Sequence, residues 1–307
     1  MAISTEHSTR IKFWGVRGSI PVPGNSTVRY GGNTSCVEVR ADGEIIVLDA
    51  GTGIRPLGLA LEKEFGGEPI KVTLLITHAH WDHIHGLPFF TPAHHRHNQI
   101  TVYGHDAADA GLREILEEQM SAPFFPVTLH DLPGKIDIHT LEAMQFNIGK
   151  VHVRSMFVNH PGICAGYRLS TSAGSIAFLP DYEPYDAMKV HSARRESLDP
   201  SQTRKRAEEE RTGLVDFLKE CDVLILDTQY TDEEYKARVG WGHGSLGSAV
   251  ALALDAQVRK LILFHHDPTH DDAKIDMMVR EARKLAEKSG RQLEVDAARE
   301  GAELMLG

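Results

Sequence analysis

Residues 11–16 alternate apolar and polar side chains with the period of a strand, and Gly18, Pro21, Pro23 and Gly24 then break the run. Two more short apolar stretches, 36–40 and 45–48, flank Asp42-Gly43, a dipeptide that favours a tight hairpin, so they predict a pair of antiparallel strands. A glycine-containing turn over 49–53 leads into a helix predicted over 56–65. The apolar run 72–76 predicts a buried strand. The middle of the chain repeats this grammar. Strands are predicted over 100–103, 136–138, 146–148, 151–157, 165–169 and 175–179, with a helix over 107–120. The last third alternates strand and helix: strand 223–226, helix 245–254, strand 260–264 and helix 272–289. Residues 293–296 and 302–305 are short enough to close a sheet edge. Two mostly β halves with flanking helices predict stacked sheets with helices outside.

The segment 182–213 is the least sheet-like part of the chain. It carries both signs of charge, with Arg194, Arg195, Arg204, Lys205 and Arg206 against Glu196, Glu208, Glu209 and Glu210. It reads either as a solvated helix with paired charges one turn apart, or as a lid or oligomer contact.

Composition narrows the class. The chain has 307 residues, 41% hydrophobic and 25% charged, the profile of a globular protein. No apolar run reaches the roughly 18 residues that a membrane helix needs, and residues 1–10 have no apolar signal core, so a cytoplasmic location is expected. Three scattered cysteines, Cys36, Cys164 and Cys221, argue against a disulfide framework or a cysteine-based zinc site and read as small buried hydrophobes. The net charge of -10 repels a long polyanion on average, so a small substrate is expected and a long nucleic acid disfavoured. The 18 histidines are clustered, and imidazole is the commonest metal ligand.

The densest cluster is Thr77-His78-Ala-His80-Trp81-Asp82-His83, directly after the apolar run 72–76. A strand ending there delivers the first histidine to a sheet edge. A helix starting near Asp82 would then fan the ligands toward two neighbouring points. One ion could not use all four together with ligands from elsewhere. A helix cap alone would account for Asp82 and for none of the histidines. Three other apolar strands end on ligand-type residues: His160 in Val158-Asn159-His160, Asp181 in Leu179-Pro180-Asp181, and His265-His266-Asp267 after Phe264.

With these residues in view, the chain resembles the metallo-β-lactamase superfamily. It is most similar to the phosphodiesterase branch that contains ribonuclease Z and class II cyclic-nucleotide phosphodiesterases. The openings Phe13-Trp-Gly-Val-Arg17-Gly-Ser-Ile-Pro21, Tyr30-Gly-Gly-Asn33-Thr-Ser-Cys36 and Leu48-Asp49-Ala-Gly51-Thr-Gly53 also resemble that branch, as glycine-rich loops that either line the site or turn the chain. The resemblance implies one α/β domain over 1–307, a four-layer αββα sandwich of two mixed sheets, with the charged helical segment around 183–212 as an insertion. It implies His78, His80 and His160 on one metal, Asp82, His83 and His265 on a second, and Asp181 bridging. His266 is the alternative last ligand, and His265 is preferred because it directly follows the strand. Leu224-Ile-Leu-Asp227-Thr-Gln-Tyr230 and Gly240-Trp-Gly242-His243-Gly-Ser245 resemble paired ribonuclease Z motifs in which an acid and a histidine assist at the phosphate. Asp227 stands where ribonuclease Z has Glu, and Leu226 where it has His.

The expectation is therefore a binuclear metal-dependent hydrolase of a small or cyclic phosphodiester such as a cyclic nucleotide. Two divalent ions, zinc first and manganese or iron otherwise, would activate water for attack on phosphorus. Asp82 would bind metal and orient the nucleophile, and His243, held by Asp227, would act on the leaving group. Rival readings are a lactone, thioester or β-lactam hydrolase on the same metals, a diiron oxidoreductase, and a metal-stabilised sensor or scaffold. A homodimer is left open.

Overall fold

The structure, a computed structural model, describes residues 8–185 and 200–307. The first sheet opens with β1 (Thr9–Gly15), β2 (Cys36–Ala41) and β3 (Glu44–Leu48), an antiparallel meander. Its predicted hairpin turn forms with positive φ at both Asp42 and Gly43, the conformation a two-residue connection requires. Parallel strands β4 (Lys71–Leu75), β5 (Gln99–Gly104) and β6 (Lys135–Thr140) extend it. Helix α1 (Ile54–Phe65) precedes β4, the single turn α2 (Trp81–Ile84) follows it, and α3 (Leu112–Glu118) links β5 to β6.

The second sheet has the same plan. A meander of β7 (Gln145–Ile148), β8 (Val151–Phe157), β9 (Ala165–Thr171) and β10 (Gly174–Leu179) is continued by parallel β11 (Val223–Asp227), β12 (Lys260–Phe264) and β13 (Glu294–Ala297). Helices α4 (Pro200–Leu218), α5 (Asp232–Tyr235), α6 (Leu246–Asp255) and α7 (Asp272–Lys288) belong to this half. The two candidate edge segments close different sheets. Residues 294–297 end the second, while β14 (Glu303–Leu306) crosses over to pair antiparallel with β1.

Three apolar layers separate four structural ones. Between the sheets lie Ile11, Phe13, Val37, Val39, Tyr167, Phe178, Ile225 and Phe264. Outside the first sheet, Ile54, Leu57, Leu61, Leu112 and Leu116 cover Val72, Leu74 and Val102. Outside the second, Leu214, Leu218, Val250, Ile275 and Met278 cover Leu224, Leu226, Leu261 and Leu263. The alternation of Leu224, Ile225 and Leu226 between layers is the strand period serving a sheet buried on both faces. The expected αββα sandwich of two mixed sheets is thus the fold.

Two predicted helices change length. The one predicted over 107–120 regularises only at Leu112, whose backbone N–H is bound by the Asp106 carboxylate at 2.8 Å. The stretch before it is held by that carboxylate instead of by helical bonds. Helix α1 begins two residues before Pro56, which sits in the first turn, where its missing N–H costs nothing. In the charged segment, α4 realises the solvated-helix reading from Pro200 onward, with Lys205 and Glu209 3.7 Å apart and both exposed. Arg194, Arg195 and Glu196, part of the segment read alternatively as a lid or oligomer contact, lie outside the described residues. All three cysteines are buried and unpaired. No helix among the described residues is long and apolar enough to cross a membrane.

Phe178 is fully buried between the sheets, its ring centroid 5.5 Å from that of Phe264. Phe178→Ala should destabilise the fold by about 3–5 kcal/mol, read as a lower urea midpoint at unchanged slope. A loss under 1 kcal/mol would mean that the sheets are not packed as described.

Candidate metal centre

The parallel strands point the same way, so their carboxyl ends share one rim of the sandwich, the usual ligand face of such sheets. His78 and His80 follow β4, and Asp82 and His83 lie on α2. Asp181 follows β10, Asp227 ends β11 and His265 follows β12, while His160 comes from the loop after β8. The structure brings all eight together with His243. His80, His78, His160 and Asp181 form one group of donors that could hold a cation, and Asp82, His83 and His265 form another. Within each group the donor atoms lie within 4.8 Å of one another.

Asp181 stands between the groups. Its Oδ1 lies 3.0 Å from His83 Nε2 and 3.2 Å from His265 Nε2. Its Oδ2 lies 3.5 Å from His160 Nε2 and 3.7 Å from His78 Nε2. Asp82 Oδ2 is 3.1 Å from His265 Nε2 and 3.2 Å from His83 Nε2, and His160 Nε2 is 3.1 Å from His80 Nδ1. Donors arranged about a cation at roughly 2.0–2.1 Å would be about 3.3 Å apart in a tetrahedron, close to these separations. Three atoms facing this space, His78 Nε2, His83 Nε2 and Asp181 Oδ1, are buried with no hydrogen-bond partner. Leaving such groups unmet is costly. An all-imidazole and carboxylate donor set with orphaned lone pairs converging on one space fits divalent cations.

The surrounding shell holds each ring by its other nitrogen. His83 Nδ1 meets Asp49 Oδ2 at 2.7 Å, and Asp49 in turn accepts from Thr77 N, Thr77 Oγ1 and Ser35 Oγ, each at 2.9 Å. His265 Nδ1 meets Gln229 Oε1 at 2.9 Å, and His160 Nδ1 donates to the Gly242 carbonyl at 2.8 Å. Ser19 N–H donates to Asp82 Oδ2 at 2.7 Å. The opening loops therefore line the site through Ser19 and Asp49. His266 turns away: its Nε2 reaches the Ala298 carbonyl at 2.9 Å, and its ring packs edge-on against Tyr30.

Asp49, Gln229 and Glu183 play parts that sequence reasoning did not assign. Asp49 carries a weak signal, an aspartate directly after a buried strand. Glu183 carries none, being a surface-type residue in a charged stretch. It is buried, and it accepts from Tyr235 Oη at 2.7 Å, Gly240 N at 2.6 Å and Gly242 N at 2.8 Å. That pins the loop whose carbonyl orients His160. Gly242 adopts φ 93°, and a Cβ there would come within 2.6 Å of His160 Nδ1, so only glycine fits between ring and loop.

The charges are interlocked. Burial opposes ionisation of Asp181, yet His265, His83, His160 and His78 hold its carboxyl well below the usual range. Burial likewise lowers His83, but Asp82, Asp181 and Asp49 raise it well above its ordinary value. Burial and the neighbouring His83 keep His78 low, and burial takes His160 to about 4. His243 is pulled down by burial and lifted more strongly by Asp227, Asp181 and Asp82, to about 9. Its Nδ1 is 2.9 Å from Asp227 Oδ2 and 3.8 Å from Asp181 Oδ2, and its ring stacks on His265 with centroids 4.9 Å apart.

Residues 45–202, just over half of the chain, match the family described as Beta-lactamase superfamily domain. The chain belongs to the metallo-β-lactamase superfamily. It is therefore of a hydrolase family. Among the superfamily's curated members, it is 26% identical to ribonuclease Z of Thermoplasma acidophilum over 90% of this chain and 91% of that one. It is 30% identical to ribonuclease Z of Pyrococcus abyssi over a shorter match, 50% of this chain and 46% of that one. Superfamily structures with the same fold include a diphosphatase of the PhnP family, at TM-score 0.63 and 16% identity, covering 96% of this chain and 97% of that one. The short form of human tRNase Z superposes at TM-score 0.61 and 18% identity, covering 97% and 99%.

Because Asp49 holds Nδ1 of His83, Asp49→Asn should weaken zinc affinity about 10–100-fold, the usual cost of losing such a partner. Competition against a chelator reads the affinity, and circular dichroism checks the fold. Unchanged affinity in a folded variant would remove Asp49 from this role.

Proposed function

We propose that the chain is a two-metal phosphodiesterase whose substrate is a small or cyclic phosphodiester, such as a cyclic nucleotide. The observation that carries this reading is the Asp227–His243 pair at the edge of the ligand groups. A hydrolase that needs only a metal site has no use for a second, carboxylate-held imidazole leaning over the bridging position. A phosphodiester with a poor alkoxide leaving group does.

His78, His80 and His160 would hold one cation, Asp82, His83 and His265 the other, and Asp181 would serve both. Zinc suits these donors best, with manganese or iron as alternatives. When bound, two such cations acidify water and neutralise charge building on the phosphoryl oxygens. The protein's own groups do the rest. Ser19 N–H donates to Asp82 Oδ2 and fixes the carboxylate that would orient the attacking water. The Asp227 carboxylate accepts the Nδ1 proton of His243, so Nε2 is the atom left to donate to the departing oxygen. His243 is 12% exposed, enough to meet a substrate, while Asp227 is fully buried beneath it. The net charge of -10 supports a small substrate over a long RNA.

Zinc-loaded protein should hydrolyse 2′,3′- or 3′,5′-cyclic nucleotides or short dinucleotides in preference to a lactam, lactone or thioester. Turnover of the acyl substrates with none of the phosphodiesters overturns the assignment. The curated ribonuclease Z relatives favour a second reading, an RNA-processing nuclease. A tRNA precursor in the same panel decides it, since efficient 3′ cleavage would exclude a preference for small esters.

His243→Ala should lower kcat about 10²–10⁴-fold on cyclic nucleotides while bound metal stays at the wild-type level. With a nitrophenyl phosphodiester, whose leaving group needs no proton, the loss should be far smaller. Equal losses on both, or loss of metal, would show that His243 does not act on the leaving group.

A further inference from the structure

Two indoles stand exposed beside the candidate centre. Trp81 is 81% exposed and Trp241 62% exposed. Trp81 lies between His80 and Asp82 in sequence, so its backbone cannot leave the site. Trp241 lies next to Gly242. The two are joined by a short chain of contacts through the site itself: His80 Nδ1 to His160 Nε2 at 3.1 Å, then His160 Nδ1 to the Gly242 carbonyl at 2.8 Å. Both residues are thereby chain neighbours of the donor group that contains His80 and His160.

Neither indole sits on a loose loop. The backbone on both sides of Trp241 is pinned by one buried carboxylate, Glu183, through Gly240 N and Gly242 N, and Trp241 N–H donates to the Arg238 carbonyl at 3.1 Å. The Trp81 carbonyl accepts from the backbone N–H of His85 at 2.8 Å and also contacts His85 Nδ1. A large apolar surface held in water on rigid backbone is prepared for a partner, because little further ordering is needed when one docks. Scattered exposed hydrophobes are ordinary, but both of these belong to residues tied by backbone to the His80–His160 donor group.

An acidic protein has little Coulombic attraction to offer a nucleotide beyond its metal centre. Stacking a base on an indole supplies affinity with no charge requirement and little base preference. We propose that Trp81 and Trp241 are the base-binding rim of this site, so that the phosphodiester it accepts carries a nucleobase stacked on one or both indoles. This rests on the phosphodiesterase reading above and specifies its substrate class. It makes the tryptophans specificity residues, with Glu183 as the positioning residue that sets Trp241.

The test compares binding of AMP and ribose 5-phosphate to the zinc-loaded protein by calorimetry, with quenching of indole fluorescence as a second readout. Turnover of a nitrophenyl phosphodiester is measured on the same samples. AMP should bind at least tenfold more tightly than ribose 5-phosphate and quench the fluorescence. Trp81→Ala or Trp241→Ala should weaken AMP roughly ten- to hundred-fold and leave ribose 5-phosphate unchanged. Trp241→Phe should recover most of the loss. Equal affinity of the two ligands, or unchanged AMP affinity in the double variant, overturns the base-binding rim while nitrophenyl turnover keeps the phosphodiesterase standing. Failure of both ligands to bind together with no phosphodiester turnover overturns both.

Discussion

Asp181 is buried at the carboxyl end of β10 with an imidazole within 3.7 Å of each of its oxygens, and the centre is organised about that residue. A carboxylate in such a place is held ionised only by the positive or polarisable groups around it. His265, His83, His160 and His78 come from three separate segments, so the site exists only when both sheets are in register. The interlocking is mutual, since burial that would neutralise His83 is overcome by Asp82, Asp181 and Asp49 together. Dense charge of this kind is expensive to bury, and the fold offsets the cost by setting imidazoles against Asp181 and Asp82.

The next ring outward turns that cluster into a shaped site. Asp49, Gln229 and the Gly242 carbonyl each take the spare nitrogen of a histidine, fixing which lone pair faces inward. Asp49 and Gly242 are tied to the backbone elsewhere, Asp49 through Thr77 and Ser35, Gly242 through Glu183. Glu183 follows Asp181 by two residues, so the strand end that places Asp181 also anchors the loop bearing His243. One short segment thereby couples the metal-facing and leaving-group sides of the proposed reaction.

The superfamily fold admits several hydrolytic chemistries, so function has to be argued from what this rim carries. A carboxylate-held imidazole beside the ligand groups favours a substrate whose leaving group needs a proton. The exposed indoles favour a substrate with a flat apolar face. An overall acidic surface favours one that is short. The three constraints are physically independent, and the proposed compact nucleotide ester meets each of them.

Much of this was legible from the chain alone, because the signals were local. Strand periodicity and the Asp42-Gly43 turn specify most of the sheets, and the histidine cluster after an apolar run marks a ligand-bearing strand end. The equivalence of His160, Asp181 and His265 was visible as a pattern of strands ending on ligand-type residues. Relations between distant segments emerge only in the folded chain. The crossing of β14 to pair with β1 depends on which edge is free, and edges have no sequence signature. Near-identical neighbours His265 and His266 are separated only by the direction of their rings, one toward Asp82 and one toward Ala298. Glu183 reads as surface and is buried, because its partners are backbone N–H groups some 60 residues away, which no side-chain pattern reveals.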